Sequence, residues 1–263
     1  MTSQSFTAFG RNVKISLPSG LDPEFLSLTL LPNFNATDSQ SKIDVEFRVQ
    51  ETPNGLRALR DGENIGQAPG QHAFMHWFSR QVHADLAIFS PTHVFIHSGC
   101  VLGPEGQLLV IPGRSYSGKS TLTQALIAKG FAYYSDEYSV LDASGFVHAF
   151  PRHMTIRDGA SPQYYEAREL GWSPSLVPAR ISKILSVKYH PDIRVGQLQT
   201  ISKATMVMHL FQNCVSAQID GARALKHIKK GVDSAQGLAG LRGEASSFSN
   251  AILDLDFSKE YHD

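Results

Sequence analysis

The chain has 263 residues, with 24 Lys and Arg against 24 Asp and Glu, so its formal charge is zero. That balance argues against a general nucleic-acid binder, which carries a basic patch and a high pI. With 42% apolar and 18% charged residues the composition excludes a disordered chain, and the length suits one large domain or two small ones at roughly 150 residues each.

Two cysteines, Cys100 and Cys214, are too few for a disulfide framework or a multi-cysteine zinc site. The start, Met1 to Phe6, has no basic region followed by an apolar one, so it does not read as a signal peptide. No apolar run approaches the roughly 18 residues that span a bilayer. The expectation is a cytoplasmic protein with no nucleic-acid or membrane partner.

Val13 to Leu17 and Ile43 to Val49 alternate apolar and polar residues, which predicts strands with one wet face. Pro32, Asn33, Asn35, Asp38 and Ser39 predict a loop between them. Thr52 to Gly70 holds four glycines and two prolines and reads as an exposed connection. From about Gln71, the residues Phe74, Trp77, Phe78, Val82, Leu86 and Phe89 recur at helical spacing. Ser90-Pro91 ends that helix, because proline disfavours helical geometry in the residue before it. Its aromatic stripe reads as core. His72 and His76 share a helix face, a spacing that can bind metal, although packing against Trp77 is the plainer reading.

His93 to His97 predicts a strand, and Gln107 to Pro112 is a short, continuously apolar one of the kind buried in a sheet. The second runs into Gly113-Arg114-Ser115-Tyr116-Ser117-Gly118-Lys119-Ser120-Thr121. Leu122, Ala125, Leu126 and Ile127 then form a helix closed by Gly130. Phe131 to Asp142 returns to strand character, with a hairpin turn at Asp142-Ala143-Ser144-Gly145. Looser sequence containing Pro151, Pro162, Pro174 and Pro178 follows, then a strand from Ile181 to Val187 and a tail read as helical from Lys203 onward. The pattern predicts an α/β or α+β fold, with residues 1–90 a β-rich segment plus helix and residues 91–263 the main domain.

Gly113 to Ser120 fits G-x-x-x-x-G-K-[ST] completely. Each part has a chemical reason. Glycines let the loop curl until its backbone N–H groups face phosphate oxygens. The helix that follows adds free N–H donors and the positive end of its dipole. Lys119 reaches the β- and γ-phosphates, and Ser120 offers its hydroxyl to Mg²⁺. The nucleotide-binding residues read this way are Gly113, Ser115, Tyr116, Ser117, Gly118, Lys119, Ser120 and Thr121. Arg114 either touches phosphate or points to solvent.

Phosphoryl transfer also needs carboxylates, for the metal and for the nucleophile. Asp136 and Glu137 come first after the loop, at the carboxyl end of a strand, where ligands of open α/β sheets collect. Asp142 is the rival, though its neighbours mark it as a turn residue. Glu137 is either a second metal ligand or a solvated acid.

These residues resemble the HPr kinase/phosphorylase family, and more closely its HPr-kinase-related branch. The likeness is carried by His97-Ser98-Gly99-Cys100-Val101, the loop itself, Gly130-Phe131, Ser135-Asp136-Glu137 and Phe150-Pro151-Arg152. It covers residues 93–157 well and is one of layout beyond 180. The resemblance implies a core similar to that of phosphoenolpyruvate carboxykinase, with ATP and Mg²⁺ on the loop. It implies transfer of the γ-phosphoryl to a serine hydroxyl of a peptide, a protein or a small molecule, such as a natural-product precursor peptide. In its terms Asp136 is the catalytic base, His97 steadies Asp136 or contacts the transferred phosphate, and Arg152 contacts acceptor or phosphate. Ser120, Asp136 and Glu137 are the metal ligands it implies, and a homo-oligomer is compatible with it. The family's later glycine-rich signature has only a faint echo in Asp192 to Gly196, so the resemblance does not extend to phosphorylase activity or to HPr as substrate. The alternatives are a nucleotide sensor or scaffold that transfers nothing, and an ATPase subunit of a larger complex.

Overall fold

In the computed structural model the chain divides into two compact units, Met1–His93 and Val94–Asp263. The structure describes residues 2–21, 26, 28–37, 41–114, 117–158, 161–167 and 169–253. Both units mix sheet and helix, and no helix among the described residues is long and apolar enough to cross a membrane.

The first unit holds a six-stranded sheet and a long helix. Its strands are β1 (Thr2–Ala8), β2 (Arg11–Leu17), β3 (Asn35–Ala36), β4 (Val45–Thr52), β5 (Gly55–Arg60) and β6 (Glu63–Ala68). They lie in the order β3-β1-β2-β4-β5-β6. Helix α1 (Gln71–Phe89) buries Phe74, Phe78, Val82 and Leu86, and Phe47 of β4 meets Phe78 edge-on at 5.9 Å. The stripe at helical spacing is therefore core. Its last aromatic, Phe89, stays half out of it, under the guanidinium groups of Arg11 and Arg60 at 5.2 Å each.

The span expected to be an exposed connection, Thr52 to Gly70, is instead the hairpin β5–β6. Gly55 and Gly62 lie at its turns, whereas Gly66 lies within β6. Asp61-Gly62 joins the strands with φ of 49° and 88°, the mirror-image two-residue turn whose twist matches paired strands. Between the turns Leu56 and Ala58 alternate inward and are buried.

The second unit is built on a mixed sheet ordered β11-β10-β7-β8-β14-β16-β15, with β9 also paired to β7. Its strands are β7 (Val94–Leu102), β8 (Leu108–Pro112), β9 (Ala132–Ser135), β10 (Tyr138–Leu141), β11 (Phe146–His148), β14 (Ala179–Tyr189), β15 (Gly196–Ile201) and β16 (Gln236–Arg242). A separate pair, β12 (Met154–Asp158) and β13 (Ser161–Tyr165), occupies part of the proline-bearing stretch. Helices α2 (Lys119–Ile127), α3 (Lys203–Gln212), α4 (Gly221–Gly231) and α5 (Ala245–Leu253) complete it. Two apolar layers hold the sheet. Ile96, Val110 and Ile184 pack with Leu210 and Ile228 on one face, and Val101, Leu109 and Leu185 pack with Leu122, Leu126 and Phe248 on the other.

The tail read as helical is interrupted by β15 and β16. Gln236-Gly237-Leu238-Ala239-Gly240-Leu241-Arg242 carries two glycines and little β-branching, so propensity hides the strand. A Cβ at Gly237 would meet Ile201 and Met206 at 2.6 and 2.5 Å, so the strand is glycine-rich because its neighbours press against it.

Candidate functional site

The parallel strands β8, β14 and β16 point their carboxyl ends the same way, the end at which α/β sheets gather ligands. From β8 the chain enters the phosphate-loop motif. Gly118 ends the loop with φ of 82°, a left-handed conformation that disfavours any residue with a Cβ. Gly113 lies against Ser117, whose Oγ would be 2.7 Å from a Cβ at that position. Lys119 opens α2, is buried, and folds its Nζ back to donate to the Arg114 carbonyl at 2.8 Å. Burial pushes its pKa down, and the charges of Glu137 and Asp136 oppose that shift. The N–H groups in the first turn of α2 have no partner within the helix. Ser120 is half-buried and Thr121 exposed. Arg114 is exposed. Ser115 and Tyr116 lie outside the described residues.

The acids come to the same end by register. Strand β7 runs between β8 on one edge and the broken line β9–β10 on the other. Gly113 N–H donates to the His97 carbonyl at 3.3 Å, and Ser98 N–H donates to the Glu137 carbonyl at 3.1 Å. The start of the loop and the acidic pair are thus one strand apart on either side, a separation of about 10 Å between strand axes. Asp136 and Glu137 occupy the break between β9 and β10, and Ser135 Oγ accepts the N–H groups of Glu137 and Tyr138 there.

Asp136 is 4% exposed. Tyr133 donates its hydroxyl to Asp136 Oδ1 at 3.1 Å, and Arg152 Nε stands 3.5 Å from the same oxygen, an ion pair without a hydrogen bond. Burial raises the carboxyl's pKa, Arg152 lowers it, and Glu137 raises it again. Arg152 Nη2 pairs with Glu137 Oε2. His97 Nε2 lies 3.4 Å from Glu137 Oε1. The histidine therefore lies against Glu137; of the two roles the resemblance gives it, steadying Asp136 or contacting the transferred phosphate, the first is not the contact seen here. Burial pushes the His97 pKa down, Glu137 opposes this, and the charges of Lys119 and Arg152 add to it. Two carboxylates, one guanidinium, one ammonium and one imidazole thus converge here.

Asp142 is elsewhere in role. It accepts from the N–H groups of Ser144 and Phe146 at 2.8 and 3.0 Å and pairs with His148 at 3.0 Å, which makes it the anchor of the β10–β11 turn. His72 and His76 stack edge to face at 4.7 Å, and no group of three or more His, Cys, Asp or Glu side chains able to hold a metal occurs among the described residues.

Two cavities flank the loop. The first, of about 420 Å³, lies on the β7 side and is lined by His97, Arg114, Gln212, Asn213, Val215 and Gln218. It exists because β8 ends at Pro112 while β7 continues, and the chain at Asn213 and Val215 takes over the vacated edge. Asn213 accepts from His97 N–H at 2.7 Å, and Val215 N–H donates to the Phe95 carbonyl at 2.8 Å. The second, of about 470 Å³, lies on the β14–β16 side beside Gly118 and Thr121, and is lined by Lys188, Tyr189, Arg242 and Glu244.

Sequence reasoning missed these four residues. Their only signal is position, at or just past the carboxyl ends of two strands parallel to β8, and one of those strands, β16, lies in the stretch expected to be helical. The arrangement can hold an extended polyanion along the loop, with acids and a cation at one end and a wide cavity at the other. No protein-family model matches the sequence, and no curated protein matches it.

Proposed function

We propose that the chain is an ATP-dependent kinase that transfers the γ-phosphoryl of Mg-ATP to a serine hydroxyl of a peptide, protein or small molecule, on an HPr-kinase-like core. The observation that carries this reading is the pair of hydrogen bonds on β7, Gly113 N–H to His97 and Ser98 N–H to Glu137, which ties the phosphate loop and the acids to one strand.

Loop N–H groups and Lys119 bind the phosphates and balance the charge that develops as the γ-phosphoryl leaves. Asp136 accepts the proton of the attacking hydroxyl as its oxygen bonds to phosphorus and the bond to ADP breaks. A buried carboxylate with a raised pKa is suited to that task, since proton transfer is most efficient when the base titrates near working pH. Arg152 keeps Asp136 and Glu137 in place and limits their mutual repulsion. The hydroxyl donor enters from the His97 cavity, which bears an arginine and three amides and no acid.

The donor set suits Mg²⁺. Ser120, Asp136 and Glu137 are hard oxygen ligands, and this ion takes one or two carboxylates with phosphate oxygens and water instead of a full protein cage. When bound there, it would neutralise charge on the phosphates.

The test is phosphorus NMR of Mg-ATP incubated with the protein and an extract of the cells it comes from, beside Lys119→Ala. A phosphomonoester signal that the variant does not produce is the expected result. Inorganic phosphate alone would favour an ATPase. An unchanged ATP spectrum, with ATP still bound, would favour a sensor.

A further inference from the structure

The β14–β16 cavity has a different chemistry from the acid side. Arg242 is 3% exposed, yet among the described residues it touches no carboxylate at hydrogen-bond distance. Its Nη2 donates to the Gly118 carbonyl at 3.1 Å and its Nη1 to the Gly243 carbonyl at 2.8 Å. The guanidinium therefore straps the last residue of the phosphate loop to the end of β16. Its Cζ lies 5.5 Å from the centroid of the Tyr189 ring. Tyr189 in turn donates its hydroxyl to Glu244 Oε1 at 2.6 Å. An aromatic ring that is 46% exposed is thus fixed at both its face and its tip, on the wall of a cavity.

Fixing an exposed ring in this way lowers the entropy lost when something stacks on it. The cavity also adjoins Thr121, in the first turn of α2, on the side of the loop away from His97 and the acids. A phosphate chain running along the loop with its reacting end at the acids places its other end here.

We propose that this cavity is the nucleoside subsite, in which a nucleobase stacks on Tyr189 while Arg242 holds ring and loop in register. The proposal rests on the phosphate-loop reading above. Stacking requires only a π face, so adenine and guanine nucleotides both fit.

The experiment compares the affinity of Mg-ATP with that of Mg-tripolyphosphate, by calorimetry, in the wild-type chain, Tyr189→Ala and Tyr189→Phe. The two ligands share the phosphates and differ in the nucleoside. Tyr189→Ala is expected to weaken Mg-ATP about 10-fold, the usual loss for one stacked base, and to leave Mg-tripolyphosphate within about 2-fold. Tyr189→Phe keeps the ring and loses its tip anchor, so it should weaken Mg-ATP less than Tyr189→Ala does and leave Mg-tripolyphosphate unchanged. Equal weakening of both ligands in Tyr189→Ala, or of neither, overturns the subsite. So does a wild-type chain that binds Mg-tripolyphosphate as tightly as Mg-ATP, and the phosphate-loop reading survives that result. A wild-type chain that binds neither ligand overturns both.

Discussion

Each unit buries one aspartate among arginines, and the two clusters are compensated in opposite ways. Asp85 on α1, in the first unit, meets Arg11 at 2.6 Å and Arg60 at 2.7 Å, one guanidinium on each oxygen. Asp136, in the second, shares one arginine with Glu137, and its own approach to that arginine is 3.5 Å without a hydrogen bond. A buried charge is costly unless it is paired and hydrogen-bonded. The first cluster meets that condition and joins β2, β5 and α1. The second leaves negative charge in excess of its guanidinium, beside the loop lysine. A structural ion pair is complete by itself; a site for a cationic or protonated partner is not.

The largest expected effect separates these roles. On the kinase reading proposed above, Asp136→Asn should lower phosphoryl transfer by about 10²- to 10⁴-fold, the usual worth of a general base, while ATP still binds through the loop and Lys119. Its stability should move the other way. The folded pKa of Asp136 is raised by burial, so the stability linked to this group is present at low pH and is lost as pH rises through the folded value. Removing the charge should therefore make the variant melt no lower than wild type at pH 7, and the gap should close on acidification. A variant that melts lower while keeping full activity would make Asp136 structural, like Asp85.

Asp85→Ala should do the reverse and cost about 3 kcal/mol of unfolding free energy. That is the low end of the range for breaking a buried pair, because Arg60 is a third exposed and regains water. Urea titration checks it, and a change under about 1 kcal/mol would remove the contrast.

The smallest effect belongs to the acid that sequence placed as runner-up. Burial pushes the Asp142 pKa up, but His148 and the N–H groups of Phe146 and Ser144 pull it down further, so the net shift is downward. Its contribution is present above the ordinary carboxylate pKa and lost as pH falls through the folded value. Asp142→Ala should cost about 1 to 2 kcal/mol at pH 7 and less at pH 3, with phosphoryl transfer unchanged.

Much of the second unit was legible because its signals are local. A continuous apolar run, a glycine loop and a capped helix each follow from a few adjacent residues, and β8, Gly118 and α2 lie where those signals put them. The acidic pair was legible for the same reason, as the first charges after a short strand. The hairpin β5–β6 was missed because glycine and proline mark turns and connections alike, and only the inward pairing of Leu56 and Ala58 distinguishes them. Strand β16 was missed because glycine lowers strand propensity, whereas the packing of Met206 and Ile201 requires it.

The sequence by itself determined the loop, its lysine, its glycines and the neighbouring acids, since these depend on bonded neighbours and on spacing along one chain. Tertiary structure alone decided that His97 meets Glu137 and that Arg152 serves two carboxylates. It also decided that Arg242, 124 residues along the chain from Gly118, holds the loop. Those contacts depend on which strand lies beside which and in what register. Register is set by the burial of whole faces, a property of the folded sheet that no single stretch of sequence carries.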